Sequence, residues 1–227
     1  MNDTQRTKEA QYQVIVEAAE QRGVERFGLR SSESWYEDPK HLVFRLSRYK
    51  FVAKMLQGRR HVLEVGCGDA FGIRIVQAEV ENLTAIDFDP VFIDDVNDRM
   101  VERWRFEAKV HDMLEGPVPG SFDAVYALDV LEHIEPSDER VFLENSFASL
   151  EPDGCAIIGV PSLESQVYAS PQSKEGHVNC KSAPELKALL EEYFFNVFIF
   201  SMNDEVVHTG YHKMAHYVFA ICAGRRP

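Results

Sequence analysis

The chain has 227 residues, 45% of them apolar, which is enough for one α/β domain with a sizeable core and an appended cap. Its 37 acids against 24 bases give a formal charge of −13, which argues against non-specific affinity for nucleic acid or anionic lipid. The longest apolar runs fall short of a membrane span, the opening residues lack the apolar core of a secretory signal, and the four cysteines (Cys67, Cys155, Cys180 and Cys222) form no C-x-x-C pair, so a cytoplasmic setting is expected.

Residues 4–22 carry Tyr12, Ile15, Val16 and Ala19 at helical spacing, with Gly23 as a stop, and predict a weakly amphipathic helix over a surface or cleft. Residues 24–37 read as a polar stretch with two aromatics, Trp35 and Tyr36, which either fill the interface of cap and core or reach a substrate. A better helix follows, with Asp38 as N-cap, Pro39 in the first turn, an apolar face of Leu42, Leu46, Tyr49, Val52 and Leu56, and Gly58 as its end. Arg45 and Arg48 lie on its other face. Val62, Leu63 and Val65 then suit a buried strand that breaks into Gly66, Gly68 and Gly72 before a crossover helix over 70–79. A second strand ends at Asp87, and Asp89-Pro90 opens a helix carrying Val91, Val96, Met100 and Trp104. Strands are predicted over 107–110, 123–128 and 155–160, with a helix over 138–150 and a turn at 151–154. In the tail, Ser182 and Glu185 form a capping box for a helix over 186–193, and strands at 196–201 and 216–222 read as an antiparallel pair at one sheet edge. The fold class is therefore α/β, a seven-stranded, mostly parallel sheet with an antiparallel last strand, helices on both faces and an N-terminal helical cap. Residues 1–58 form the cap and 59–227 the core of a single domain.

A strand that ends in glycines and reopens as a helix brings bare N–H groups close to a ligand, and an acid ending the next strand can accept from a ribose diol. A dinucleotide fingerprint would put a glycine at Phe71, and no Walker loop is present. A nicotinamide enzyme is thereby disfavoured. What stands here is Glu64-x-Gly66-x-Gly68-x-Ala70, which resembles the first motif of the class I S-adenosylmethionine-dependent methyltransferases, with Ala70 in place of the third glycine. Ile86-Asp87-Phe88-Asp89, residues 122–134 and the turn Leu150-Glu151-Pro152-Asp153-Gly154 are similar to later motifs of the same family, in order. So is the segment holding Gly176-His177 and Glu185-Leu186. The similarity spans about residues 40–222 and is greatest to the branch with the ubiquinone-biosynthesis O-methyltransferases and natural-product methyltransferases.

The resemblance implies a Rossmann-like core that binds S-adenosyl-L-methionine and releases S-adenosyl-L-homocysteine. It implies cofactor contacts from Glu64, Gly66, Cys67 (through its backbone), Gly68 and Leu128. Asp87 would take the ribose hydroxyls, Phe88 the adenine face, Asp112 the adenine amino group, and Met113 would offer its N–H. Phe88 as a core residue and Asp112 as a turn cap are the plainer alternatives. Arg48 is a candidate for the cofactor's carboxylate. His133 either faces the substrate as general base or pins its loop to backbone, and His177 lies in the long connection over 161–181 that should overhang the cleft. Asp129, Glu132, Asn203, Tyr211 and His212, with Trp35 and Tyr36, are candidate substrate contacts. His208, His212 and His216 repeat every four residues, but Thr209 and Gly210 interrupt a helix there, so no metal site is expected. The expected activity is methyl transfer to a small molecule, at a hydroxyl oxygen, with an amine acceptor or a non-catalytic, cofactor-binding family member as rivals. No nucleic-acid or membrane partner is expected, and a homodimer is left open.

Overall fold

The computed structural model describes residues 6–227. Its eight strands are β1 (His61–Val65), β2 (Asn82–Asp87), β3 (Glu107–Val110), β4 (Phe122–Leu128), β5 (Leu150–Pro161), β6 (Phe194–Asn203), β7 (Val206–His208) and β8 (Tyr217–Arg225). They form one sheet in the order β3-β2-β1-β4-β5-β8-β6-β7. The first five pair in parallel. β8 is inserted antiparallel between β5 and β6, and β7 folds back on β6. The sheet thus has one strand more than expected. That strand is three residues long and includes Val206 and Val207, reached through a two-residue turn in which Asp204 takes φ 49°.

The helices are α1 (Gln13–Arg22), α2 (Leu29–Glu37), α3 (Lys40–Met55), α4 (Ile73–Gln77), α5 (Pro90–Asp98), α6 (Glu139–Ala148), α7 (Pro171–Gly176) and α8 (Ala183–Leu190). Alternation along the strands divides the apolar side chains between two cores. Leu63, Val65, Val125 and Ala127 face α6 and α8, whose Phe142, Leu143, Phe147, Leu186 and Leu190 are buried with them. Val62, Ala124, Tyr126 and Leu128 face the other way, onto Tyr49 and Val52 of α3, Ile73 and Val76 of α4, and Ile93 and Val96 of α5. Helices on both faces follow from strands that are apolar on both sides.

Cap chemistry sets the helix starts. The Asp89 side chain accepts from the Val91 N–H at 2.9 Å, and Ser182 and Glu185 form the expected reciprocal box. Pro39, not Asp38, takes the N-cap position of α3, which begins at Lys40, while Asp38, one residue further out, accepts from the Lys40 N–H at 3.2 Å. The first helix begins only at Gln13, after a 3-10 turn over Ala10–Tyr12, and residues 4 and 5 of the expected span lie outside the described residues. The helix opened by Asp89 stops at Asp98, so Trp104 lies in a separate short turn, Glu102–Trp104. β5 starts earlier than expected and carries the 151–154 segment through a register shift opposite Phe122 and Ala124.

α2 is absent from the sequence expectation, and its reason is tertiary. Gly28 precedes it without a side-chain cap. The core supplies the missing acceptors: Asp69, in the glycine loop, accepts from the Ser31 N–H at 2.6 Å, and Asp95 of α5 accepts from the Leu29 N–H at 3.3 Å. Two carboxylates at a helix N-terminus also suit its dipole. Arg99 ties the acceptors together, donating to Asp95 Oδ2 at 2.8 Å and to the Asp69 carbonyl at 2.7 Å.

Candidate active site

The ends of β1, β2 and β4 and the loop after β3 meet at the carboxyl edge of the sheet, around a cavity of about 640 Å³. Gly66, Gly68, Asp87, Phe88, Asp112, Met113, Asp129 and His133 all line it, together with Arg30. Gly66 has φ 73°, and a Cβ there would meet Val130 Cγ2 at 2.4 Å, so the turn out of β1 requires glycine. The Gly66 and Cys67 N–H groups both donate to the Ile86 carbonyl at 2.9 Å, which clamps the loop to the end of β2. The Asp87 carboxylate accepts from the Gly68 N–H at 2.8 Å and from the Asp89 N–H at 3.0 Å. Both oxygens are oriented by backbone and keep further lone pairs for a ligand. Phe88 is 71% exposed beside it, so the core reading of this side chain does not hold. Asp112 Oδ1 caps the following turn through the Leu114 N–H at 2.8 Å, which leaves its second oxygen for a donor in the cavity.

Arg30 of α2 lines both this cavity and a narrow crevice shared with Arg45, Tyr49, Cys67, Asp69, Leu128 and Asp129. Its guanidinium has no ion pair among the described residues. Arg48 does not reach the cavity lining. Its guanidinium donates to both Asp129 oxygens at 2.7 Å and stacks 3.8 Å above the centre of the Tyr217 ring. Burial disfavours the charged form of Asp129, and Arg48 outweighs it, holding the carboxyl below its ordinary range. Arg48 therefore serves Asp129, which is held at φ 57°, and Arg30 is the cation that faces the ligand space. No periodicity marks Arg30 in the sequence, because α2 docks through its backbone N–H groups rather than through an apolar stripe.

Glu64 also lies outside the cavity. It is buried behind the glycine loop, accepting from the Tyr49 hydroxyl at 2.6 Å and the Tyr126 hydroxyl at 2.8 Å. Burial pushes its carboxyl up to about 7, against the pull of the two tyrosine hydroxyls. Cys67 and Leu128 line only the narrow crevice. Burial drives the Cys67 thiol far up, so its thiolate is not available.

The turn after β4 brings Glu132 and His133 beside His177 of the 161–181 connection. His133 lines the cavity with 42% of its side chain exposed, and its Nδ1 lies 2.8 Å from the Gly176 carbonyl. A carbonyl can only accept, so Nδ1 carries the proton and Nε2 keeps a free lone pair. His177 sits edge-on, its ring centre 5.1 Å away, and its Nδ1 is 2.8 Å from Gln166 Oε1. Gln166 donates through Nε2 to the Ser162 carbonyl at 3.1 Å, which orients its amide. Burial, and then the neighbouring His133, keep His177 below the ordinary histidine value. Glu132 is buried, its Oε1 is 3.9 Å from His133 Nε2, and its Oε2 has no partner. Burial, and then Asp129, raise its carboxyl well above the usual range. Glu132, His133 and His177 offer ligand atoms that all lie within 4.8 Å of one another. His133 thus both pins its loop to backbone and faces the cavity.

The remaining substrate candidates are elsewhere. Trp35 packs on Phe27 at 5.8 Å and Tyr36 is 81% exposed, both outside the lining. Asn203 is occupied within the β6–β7 hairpin, donating to the Met214 carbonyl and receiving His208 Nε2 at 2.8 Å. The Tyr211 and His212 rings are tilted against each other, 5.9 Å between centres, and both lie outside the cavity lining. They emerge from a hairpin that turns outward along β6, which strand spacing alone does not reveal. Ile134, Glu135, Asp138 and Phe142 take their place in the lining, from the segment following His133.

The cavity suits an elongated nucleoside with a charged amino-acid end. Phe88, Asp87 and Asp112 form one wall, with acceptors for a ribose diol and an exocyclic amine, and Arg30 is a cation for a carboxylate. With the doubly clamped glycine loop, these features are similar to those of the class I S-adenosylmethionine-dependent methyltransferases, and the comparisons with known proteins point the same way. Residues 62–154 match the family model described as a methyltransferase domain. A probable S-adenosylmethionine-dependent methyltransferase of Mycolicibacterium smegmatis is 27% identical over 175 residues, which are 75% of this chain and 62% of that protein. The chain thus spans less than two thirds of that relative's length. Among solved structures, the N-methyltransferase NodS of Bradyrhizobium japonicum, in complex with S-adenosylhomocysteine, aligns with TM-score 0.62 at 20% identity, covering 85% of this chain and 90% of NodS. The plantazolicin methyltransferase BpumL, also with S-adenosylhomocysteine, aligns with TM-score 0.66 at 13% identity, covering 86% and 89%. These two likenesses bear on the fold. No helix among the described residues is long and apolar enough to cross a membrane.

Proposed function

We propose that the protein transfers a methyl group from S-adenosylmethionine to a hydroxyl oxygen of a small molecule. The observation that carries this reading is the acceptor-rich corner of Glu132, His133 and His177 at the rim of the cavity whose other end suits the cofactor. A hydroxyl must lose a proton to become a good nucleophile, and a corner of oriented lone pairs serves that need, whereas a neutral amine already has its lone pair. When bound, the cofactor supplies an activated methyl on a sulfonium centre. In this reading Asp87, Asp112 and Phe88 hold the nucleoside, with the loop of Gly66 and Gly68 beneath it and Arg30 taking the carboxylate. Val130, Ile134 and Phe142 keep the neighbouring wall apolar. His133 faces the acceptor. The four free cysteines support a reducing, cytoplasmic setting.

Calorimetric titration with S-adenosylhomocysteine and with NAD, followed by methyl-transfer assays on parallel panels of hydroxylated and aminated metabolites, tests this. Micromolar S-adenosylhomocysteine binding, none of NAD and turnover on the hydroxyl panel are expected. Turnover confined to amines would replace the oxygen acceptor by nitrogen, as in the N-methyltransferase NodS. Absence of S-adenosylhomocysteine binding would overturn the catalytic reading.

A further inference from the structure

We propose that Glu132, His133 and His177 bind one divalent first-row transition-metal ion, with open positions that receive the acceptor's hydroxyl oxygen; this deepens the methyl-transfer reading and rests on it. Three acceptor groups converge here. Glu132 Oε1 lies 3.9 Å from His133 Nε2, and the ligand atoms of all three residues fall within 4.8 Å of one another. Glu132 Oε2 is buried without a partner among the described residues. A metal ion that takes the place of the Glu132 proton gives the buried Oε2 and the two imidazoles one shared partner.

The surroundings are built as metal sites are built. Metal-binding histidines donate their second ring N–H to a carbonyl or carboxylate, which fixes the tautomer and aims the other nitrogen. Both imidazoles do so: Nδ1 of His133 donates to the Gly176 carbonyl and Nδ1 of His177 to Gln166 Oε1, each at 2.8 Å. Gln166 is in turn fixed by the Ser162 carbonyl. The loop backbone is pinned by the Asn179 N–H, which donates to the Glu132 carbonyl at 3.0 Å. Asp129 is committed to Arg48, so its charge does not neutralise a cation at the triad directly. With metal–ligand bonds of about 2.1 Å, tetrahedral ligands stand about 3.4 Å apart, so side-chain rotation must close the triad by about an ångström. Two imidazoles and one carboxylate suit manganese, iron, cobalt or zinc better than magnesium or calcium. His133 is partly exposed at the cavity, which leaves coordination positions for an acceptor hydroxyl and eases loss of its proton to water.

The test is Co²⁺ titration of the chelator-stripped chain, read by visible absorption and by counting bound metal. One equivalent is expected, with an imidazole-ligated spectrum. Glu132→Gln, and the double variant His133→Ala with His177→Ala, should each weaken binding more than about 100-fold, and Gln166→Leu, which removes only the orienting partner, about tenfold. Each variant is checked for S-adenosylhomocysteine affinity, which reports folding and needs no metal. Absence of stoichiometric Co²⁺ in a chain that binds S-adenosylhomocysteine overturns the metal site and leaves the methyl-transfer reading standing. Binding that survives both Glu132→Gln and the double histidine variant overturns it equally. A chain that takes Co²⁺ at the triad but not S-adenosylhomocysteine keeps the site and overturns the methyl-transfer role assigned to it.

Discussion

Asp87 is fixed by two backbone donors, so in the proposed reading a ribose would meet a carboxylate that is already oriented. Hydrogen bonds to a charged group contribute about 1.5–3 kcal/mol each. Asp87→Ala is therefore expected to cut S-adenosylhomocysteine affinity by about 100-fold or more in calorimetry, and Asp87→Asn, which keeps one acceptor, by less. Glu64 behaves differently because it is buried away from the ligand. Its carboxyl ionises near 4.5 in the unfolded chain and at about 7 in the folded one. Between those values the folded chain holds a proton that the unfolded chain has released, so stability falls as pH rises through this window. The loss is about 3 kcal/mol. Urea midpoints measured from pH 4.5 to pH 7.5 should carry this decline, and Glu64→Gln, neutral throughout, should flatten it. A mutant with the wild-type slope would remove Glu64 as its source. Both acids are legible in the sequence, Glu64 in the glycine-loop motif and Asp87 at the end of the second strand, but their different surroundings are not. Which way a β1 side chain faces depends on the sheet, and Glu64 points to the α3 side with Val62 while Val65 points to the other.

At the level of elements, capping and period were legible where the determinants are local. The Asp89 and Ser182 starts, the glycine loop and the parallel strands all rest on signals within a few residues of one another. α2 rests on acceptors 38 and 66 residues further along the chain, and short-range patterning carries no trace of those. Arg30 stands on this helix and is as hard to foresee, whereas Arg48 stands on the better-patterned α3. Asp69→Ala would strip the buried Ser31 N–H of its acceptor, at a cost of about 1–3 kcal/mol. Limited trypsin digestion should then cut faster at Arg26 and Arg30, and S-adenosylhomocysteine affinity should fall several-fold. Unchanged digestion would mean that Asp95 alone holds the helix. The β6–β7 hairpin is equally hard to foresee, since three residues of strand are too few to register as a period. It drew Asn203, Tyr211 and His212 away from the cleft.

The whole molecule followed from alternation of strand and helix, and the strand count differed only at one edge. The carboxyl-edge position of the site follows from the same topology, because ligands in open α/β sheets bind where strand order reverses. Here β1 sits between β2 and β4 at that reversal. The proposed acceptor corner is not legible for a related reason: Glu132, His133 and His177 come from loops after β4 and β5, whose relative placement is set by long-range contacts.

β8 has one more consequence. It is later in the chain than β6 yet lies inside it in the sheet, and its Tyr217 is the ring beneath Arg48. During synthesis, every earlier strand leaves the ribosome before the strand that joins β5 to β6. Until Tyr217–Arg225 arrives, β5 presents an open, apolar edge, and the Arg48–Asp129 pair lacks its aromatic floor. The nascent chain thus carries a nearly complete nucleotide-binding half beside a gap, a form prone to pairing with another chain. The acceptor corner gains its full support only when the last strand slides home.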